Sequence, residues 1–185
     1  AKLNVPPFIA TMAMMNVARG LAYVFTDAKP VFGLPESFGF IGLKEIGIIP
    51  VCVILMVLII LLSYVLLTKT CYGRYVYAVG SNKEVAKLTG INVDQIRFSV
   101  YVISGILSAL AGLVLASKLQ NGQATAAVGY ELNAIAAVAM GGTSMSGGRG
   151  GIPQTVIGLI VIGIINNALS LLGVSAYWQT VAMGV

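Results

Sequence analysis

The sequence CYGRYVYAVGSNKEVAKLTGINVD, residues 71–94, is a short polar segment between two long apolar runs, and we call it the polar island. Within it, Ser81 and Glu84 have the spacing of a capping box, in which the serine oxygen accepts a hydrogen bond from the amide three residues later. Gly90 supplies the stop, because glycine adopts the left-handed conformation that closes a helix at little steric cost. The pattern predicts a helix from about Asn82 to Thr89. So short a helix is marginal alone in water, which suggests that it is presented to a partner.

The composition is that of a membrane protein. Of the 185 residues, 58% are apolar and 9% are charged, whereas about 25% are charged in an ordinary soluble domain. Uncharged runs cover residues 46–68, 98–117 and 150–185, and about 20 residues suffice to cross the hydrocarbon core of a bilayer. Buried helices of a soluble protein would need shorter runs with polar faces. The sequence therefore predicts an all-α, polytopic bundle of transmembrane helices with a short helix in the island.

Six segments of a single transmembrane domain are predicted to lie in the membrane. Their approximate bounds are 5–25, 48–67, 98–117, 132–142, 152–172 and 177–185. The fourth is short, because its apolar run stops at Gly141 after nine residues, and such a helix reaches about halfway through a bilayer. We expect a broken or half-spanning helix there, buried in protein. Since the chain begins without methionine and stops inside an apolar stretch, we interpret it as a fragment of a longer protein.

The distribution of charge predicts the orientation. Five of the eleven basic residues lie in or beside the polar island, which offers only Glu84 and Asp94 to offset them. An excess of Lys and Arg in a short loop marks the cytoplasmic side. The island is therefore expected in the cytoplasm, and the segments 27–45 and 118–131 outside. Basic and aromatic residues do not interleave as they do in nucleic-acid grooves, so no nucleic-acid partner is expected.

The residue types offer little chemistry. The chain has no histidine and two cysteines, Cys52 and Cys71, which excludes a usual structural zinc site and removes the commonest general base. We predict no catalytic residue, metal or cofactor. The glycine-rich stretch 141–151 shares only its first glycine spacing with a phosphate loop, because Gly148 and Arg149 stand where that motif has its lysine and hydroxyl residue. Close packing of backbone is the interpretation we favour.

The third span carries small residues at every fourth position. They are Ser104, Ser108, Gly112 and Ala116. A stripe of this kind lets two helix backbones approach closely. We expect a packing seam and a helix buried in the bundle.

Polar residues at membrane depth are candidates for a translocation pathway. Asn166 and Asn167 lie inside the fifth predicted span, where asparagine side chains must find partners on other helices or along a polar path. Tyr130, Glu131 and Asn133 lie at the outer end of the fourth. Glu131 is explained equally well as a charge at the membrane interface.

Four longer motifs carry a family resemblance that covers essentially the whole chain. They are VPPFIAT at 5–11 with RGLA at 19–22, GRYVYAVGSN at 73–82, LTGINVD at 88–94, and GYELNAIAAVAMGGTSMSGGRG at 129–150. With these motifs the chain resembles the permease subunit of bacterial ABC importers for monosaccharides, closest to the ribose type. Matches this long and ordered are stronger than any single motif.

The resemblance implies that the short helix of the island is a coupling helix, docked in a groove of a separate ATPase subunit. Glu84, Val85, Ala86 and Gly90 match the Glu-Ala-Ala-x-x-x-Gly element of other ABC permeases, with valine in place of one alanine. The expected ATPase-coupling residues are Ser81, Asn82, Glu84, Val85, Ala86, Leu88, Gly90 and Ile91. The resemblance further implies a second permease copy as a homodimer, a periplasmic or extracellular sugar-binding protein, and a lipid-embedded, multi-pass position in the inner membrane of a bacterium.

On this interpretation the chain is a transport subunit rather than an enzyme, moving ribose or a similar monosaccharide into the cytoplasm while the partner hydrolyses ATP. One alternative is an ABC permease for another small solute. A second is an ion-coupled secondary transporter, which also uses broken helices but needs an intramembrane acid, and no acid lies within the spans except Glu131 at an edge. A third is a purely structural membrane subunit, for which a capped, exposed helix would have no use.

Overall fold

The computed structural model describes residues 7–35, 38–175, 178–179 and 181, which form helices joined by short loops and one small hairpin. The elements are α1 (Pro7–Thr26), α2 (Gly39–Gly42), β1 (Glu45–Ile46), β2 (Ile49–Pro50), α3 (Val51–Lys69), α4 (Cys71–Ser81), α5 (Lys83–Leu88), α6 (Val93–Leu119), α7 (Tyr130–Met140) and α8 (Ile152–Leu171). The prediction of an all-α chain of membrane helices is confirmed.

Helices α3, α6 and α8 are long and apolar enough to cross a membrane. Helix α1 is 20 residues long and covers most of the first predicted span, of which residues 5 and 6 lie outside the described part. Helix α7 is short, as predicted, and ends where Gly141 begins the glycine-rich stretch. Of the predicted span 177–185, only residues 178, 179 and 181 are described.

The second span begins later than predicted. It starts at Val51 rather than Ile48, because Glu45 pairs with Pro50 and Ile46 pairs with Ile49 in an antiparallel hairpin. Gly47 has φ +68° at the turn of that hairpin, a conformation that glycine adopts without strain. The apolar run therefore contains a turn that hydropathy alone does not reveal.

The third span belongs to a longer helix than predicted. Helix α6 begins at Val93, and the Asn92 side chain accepts a hydrogen bond from the Gln95 amide at 3.2 Å. In the described part of the chain none of the most apolar window of this span is buried, and Ser104, Ser108 and Gly112 are exposed, so its burial in a bundle stays a prediction. A stripe of small residues indicates that a surface can be approached closely, but it does not say that the same chain approaches it.

The chain divides into two compact units, of which the first contains residues 1–54 and 109–128. Its most buried side chain is Ser117, whose hydroxyl donates to the Phe38 carbonyl at 2.6 Å and accepts from the Gly42 amide at 2.8 Å. Val31 and Gly122 also form an antiparallel bridge. The bridge joins the two segments that the charge pattern predicts to lie outside the membrane, and the Ser117 contacts lie at the adjoining end of the third predicted span.

The second unit contains residues 55–108 and 129–185. In it, α3 stops at Lys69 and α4 starts two residues later, because the Thr70 hydroxyl caps α4 by accepting from the Gly73 amide at 3.3 Å. Gly73 is buried so closely against the Leu67 carbonyl that a Cβ there would collide with it. The Tyr72 hydroxyl is 2.9 Å from that of Ser99 and ties α4 to α6. The polar island is therefore held as a folded block.

Candidate functional site

The short helix of the polar island is α5, Lys83–Leu88, which we call the docking helix. Its N-cap is Asn82, whose side-chain oxygen accepts from the amides of Glu84 and Val85 at 2.9 and 3.2 Å. The predicted capping box at Ser81 is wrong by one residue, because α4 runs through Ser81 and leaves Asn82 as the first residue with extended backbone. Either residue type caps well, so the length of the preceding helix decides between them.

The C-terminal stop is where the sequence predicts it. Gly90 has φ +82°, and the Ile91 amide donates to the Ala86 carbonyl at 3.1 Å. This left-handed residue and backward hydrogen bond close the helix in the manner typical of a glycine stop. Both ends of the docking helix are thus fixed by local hydrogen bonds.

The docking helix presents apolar side chains outward. Val85 is 55% exposed and Leu88 is 87% exposed, while Ala86 between them is 2% exposed and packs inward. Residues three apart lie on one helix face, so Val85 and Leu88 form an uncovered apolar face that a partner protein can bury. Of the predicted coupling residues, Ala86 anchors the helix instead of lying on its surface. Ser81, Asn82, Glu84 and Gly90 are exposed, and Ile91 is half-buried.

A cleft of about 390 Å³ opens beside the docking helix. It is lined by Tyr75 of α4, the residues from Thr89 to Asn92, and Gln95 and Ile96 at the start of α6. The cleft therefore adjoins the Gly90 stop at the C-terminal end of the docking helix.

The cap assignment makes a testable distinction between neighbouring residues. Asn82→Ala is expected to destabilise the docking helix by about 1 kcal/mol, because the Glu84 and Val85 amides lose their acceptor. Amide hydrogen exchange at those two positions should then quicken by roughly fivefold. Ser81→Ala is the matched control and should leave both exchange rates unchanged. Faster exchange in Ser81→Ala with unchanged exchange in Asn82→Ala would instead show that Ser81 is the cap.

The glycine-rich stretch 141–151, which we call the glycine loop, lies against the polar island. A Cβ on Gly80 would be 2.8 Å from the amide nitrogen of Gly148, and one on Gly147 would be 2.7 Å from the Gly80 carbonyl oxygen. The Tyr77 hydroxyl donates to the Gly150 carbonyl at 3.0 Å. Backbone therefore packs directly on backbone between the glycine loop and the polar island.

The glycine loop also connects α7 and α8, which pack as an antiparallel hairpin. Ala137 is fully buried, and a Cβ on Gly158 would collide with its carbonyl oxygen. A Cβ on Gly141 would collide in the same way with the carbonyl oxygen of Gln154. Two close glycine contacts one helical turn apart hold the hairpin together, as small residues do at membrane helix interfaces.

The predicted pathway residues gather at the other end of that hairpin. Since Ala137 faces Gly158 in an antiparallel pair, the first turn of α7 lies at the level of the last turns of α8. Of the five residues, Tyr130 and Asn167 are exposed, and Glu131, Asn133 and Asn166 are half-buried. The Asn166 side-chain oxygen is buried without a hydrogen-bond partner in the described part of the chain. Such an atom can accept a hydroxyl hydrogen at modest cost.

Sequence reasoning missed Tyr77 and Gly80 as contact residues and Ser117 as a buried serine. Their partners lie far away in sequence, 73 residues for Tyr77 and 79 for Ser117. The only local signal is a glycine at position 80 inside a helix, which weakens a helix and so suggests a packing reason. Within the described residues, no cluster of three or more His, Cys, Asp or Glu side chains has the arrangement of a metal site.

Comparison with known proteins finds a matching family and several similar permeases. Residues 1–185 match the model of the family described as branched-chain amino acid transport system / permease component. The ribose import permease protein RbsC of Bacillus subtilis (strain 168) is 49% identical over 186 residues, covering 100% of this chain and 58% of that protein. The RbsC of Escherichia coli (strain K12) is 43% identical over 189 residues, covering 100% and 59%.

A second sugar appears in the name of another relative, the L-arabinose transport system permease protein AraH of Escherichia coli (strain K12). It is 39% identical over 185 residues, covering 100% of this chain and 56% of that protein. The chain thus spans a little more than half the length of these curated relatives. No solved structure matches it.

Proposed function

The chain belongs to the family of permease components of branched-chain amino acid transport systems, and from this premise we propose that it is the membrane-spanning permease of an ABC importer for a monosaccharide. Ribose or a similar sugar is the proposed solute, supported by the 49% identity to a ribose import permease. The observation that carries the mechanism is the docking helix, which is capped at both ends and exposes Val85 and Leu88.

The docking surface supports the first proposed partner, an ATPase subunit, and the resemblance to ABC importer permeases supports the other two. An ATPase subunit buries the apolar face of Val85 and Leu88 and hydrolyses ATP, a soluble sugar-binding protein delivers the solute from outside, and a second permease copy completes the pathway. The chain lies in the cytoplasmic membrane of a bacterium, with the polar island inside. One contact supports this topology, because the Val31–Gly122 bridge joins the two segments predicted outside, 27–45 and 118–131.

The proposed mechanism is rigid-body gating. When an ATPase closes around ATP, whatever lies in its groove is displaced, and a helix fixed at both ends transmits that displacement without bending. The permease then needs to supply only a polar path that does not trap the sugar. The unpartnered Asn166 oxygen, with Tyr130, Glu131, Asn133 and Asn167 at the same end of the hairpin, is the proposed lining of that path.

One alternative solute class has a specific observation in its favour. The family description gives branched-chain amino acids as the transported solute, whereas the relatives described above are named for ribose and L-arabinose. The unpartnered oxygen of Asn166 can accept a sugar hydroxyl, and the relatives named for ribose and L-arabinose are 49% and 39% identical to this chain. We therefore favour the sugar.

The function is tested with the complete permease, its ATPase subunit and its binding protein reconstituted in liposomes. Uptake of radiolabelled ribose is expected only when ATP is present on the cytoplasmic side, and unlabelled leucine should not compete. Uptake driven by a sodium or proton gradient without ATP would contradict the proposal, as would competition by leucine and not by sugars.

The orientation has its own test at Cys71, an exposed thiol at the start of α4. In a Cys52→Ser background, a membrane-impermeant maleimide is expected to label Cys71 in inside-out vesicles and not in sealed cells, because the polar island faces the cytoplasm. Labelling is read by mass shift after purification. Reaction in sealed cells would reverse the proposed topology.

A further inference from the structure

The glycine loop touches the polar island at Gly80 and Ser81, just before the N-cap of the docking helix, and we propose that this contact makes the α7–α8 hairpin move together with the docking helix. Tyr77, Gly80 and Gly148 are the positioning residues of the contact. The inference rests on the proposed function, since it names the route by which docking of an ATPase reaches the translocation pathway.

The first link in the route joins the docking helix to α4. Asn82 is at once the C-cap of α4 and the N-cap of α5. Its amide donates to the Ala78 carbonyl at 3.1 Å, while its side chain accepts from the Glu84 and Val85 amides. One residue bonded to both helices leaves no linker to absorb motion, so displacing α5 displaces the end of α4.

The second link joins α4 to the glycine loop. A Cβ on Gly80 would be 2.8 Å from the amide nitrogen of Gly148, and a Cβ on Gly148 would collide with Ser81, so neither position has room for one. The Tyr77 hydroxyl, one turn earlier on α4, adds a hydrogen bond to the Gly150 carbonyl at 3.0 Å. Alanine is a far better helix former than glycine. The glycine at position 80 therefore weakens α4, and the contact with the loop is what it makes possible.

The third link joins the glycine loop to the hairpin. The loop is folded on itself, because the Ser144 amide donates to the Arg149 carbonyl at 2.9 Å and the Gly147 amide to the Ser144 carbonyl at 3.0 Å. At its ends, Gly141 and Gly158 hold α7 and α8 in close contact. A push on a folded loop that joins two tightly packed helices moves both of them, and the proposed pathway residues lie at their far end.

A transmission contact and a simple packing contact have different consequences. Packing alone contributes to stability, so weakening it lowers the melting temperature and leaves the sugar carried per ATP unchanged. Transmission sets how much of the motion of the docking helix reaches the hairpin. Weakening it then lowers the sugar carried per ATP hydrolysed, even in a protein that is still folded.

The test measures ribose uptake and ATP hydrolysis together in liposomes that contain the complete permease, its ATPase subunit and its binding protein. Tyr77→Phe is expected to lower uptake per ATP by about fivefold, the usual size for loss of one coupling interaction. Gly80→Ala should lower it further and, because its Cβ would meet the backbone nitrogen of Gly148, should also lower the melting temperature, whereas Tyr77→Phe should leave the melting temperature of the complex unchanged. The matched controls Tyr101→Phe, at an exposed tyrosine on α6, and Gly163→Ala, at a glycine with nothing within 4 Å, should leave the ratio unchanged.

The outcomes separate this inference from the proposed function. If the unaltered complex imports no sugar, the proposed function fails. If it imports sugar and both variants keep the same uptake per ATP, the transmission contact is refuted. Should Gly80→Ala fail to assemble, Tyr77→Phe decides alone, because it removes a single oxygen atom.

A distance measurement checks the shared motion directly. Spin labels are placed on the native Cys71 of α4 and on Met140→Cys at the end of α7, in a Cys52→Ser background of the same reconstituted complex. The distance between them is expected to be the same with and without ATP in the unaltered protein, and to differ between those states in the Gly80→Ala variant. A change on adding ATP to the unaltered protein would overturn the inference.

Discussion

Gly158→Ala is expected to destabilise the α7–α8 hairpin strongly. The added methyl group would collide with the carbonyl oxygen of Ala137, a residue that is fully buried. A backbone atom cannot turn aside as a flexible side chain can, so one helix must move away from the other. Overpacking of this kind should lower the free energy of unfolding by about 3 kcal/mol, which is the upper end of the usual cost of an added core methyl group. Thermal unfolding of the detergent-purified permease should show the loss as a lower melting temperature.

The matched control lies five residues further along the same helix. Gly163 has nothing within 4 Å of the position of a Cβ, and its backbone is helical. Gly163→Ala should therefore leave the melting temperature unchanged or raise it slightly, since alanine favours a helix. Equal melting temperatures for Gly158→Ala and Gly163→Ala would mean that the hairpin is not closely packed in the membrane, and ribose uptake would then be retained in both.

This pair of glycines illustrates what the sequence can and cannot predict. The apolar stretch after the glycine loop predicts a span over 152–172 and α8 covers Ile152–Leu171, because the thickness of the bilayer fixes how many apolar residues a span needs. Composition does not distinguish Gly158 from Gly163, because both are glycines in the same apolar helix. Only the position of a neighbouring backbone makes one of them essential.

In the docking helix too, the local feature was predictable from the sequence and the feature that depends on a neighbouring element was not. Gly90 was predictable as a helix stop because the left-handed conformation is a local property of the chain. The N-cap was misplaced because Ser81 and Asn82 are adjacent and both cap well. Helix α4 decides between them, since it extends through Ser81. The start of the helix therefore depended on the extent of its neighbour and not on its own residues.

The candidate pathway was predictable only as a set of polar residue types at membrane depth. The structure adds that Tyr130 and Asn166 belong to one end of a single hairpin and that the Asn166 oxygen lacks a partner in the described residues. No sequence pattern pairs α7 with α8 in this register. The register comes from Gly141 and Gly158, whose neighbours are revealed only by the fold.

Gly90→Val is expected to abolish most ATP-driven uptake while the permease stays folded in the membrane. Gly90 has φ +82° with nothing within 4 Å, so a side chain there meets no neighbour in this chain and only the backbone conformation opposes it. The left-handed conformation costs an L-residue about 1–2 kcal/mol, and a β-branched one is disfavoured further. A six-residue helix has no stability of its own with which to offset that penalty. Ribose uptake should fall by about tenfold, with an unchanged melting temperature.

Gly90→Asn distinguishes two roles of this glycine. It provides the left-handed backbone that ends the docking helix, or it leaves space for the ATPase to pack against. Asparagine tolerates the left-handed conformation, so the hydrogen bond from the Ile91 amide to the Ala86 carbonyl is retained and uptake should stay close to that of the unaltered protein. If both variants lose uptake equally, the backbone conformation is not the cause, and the ATPase must pack directly against Gly90, where any side chain obstructs it. If both retain uptake, the docking helix does not carry the coupling, because its stop can be destroyed without consequence.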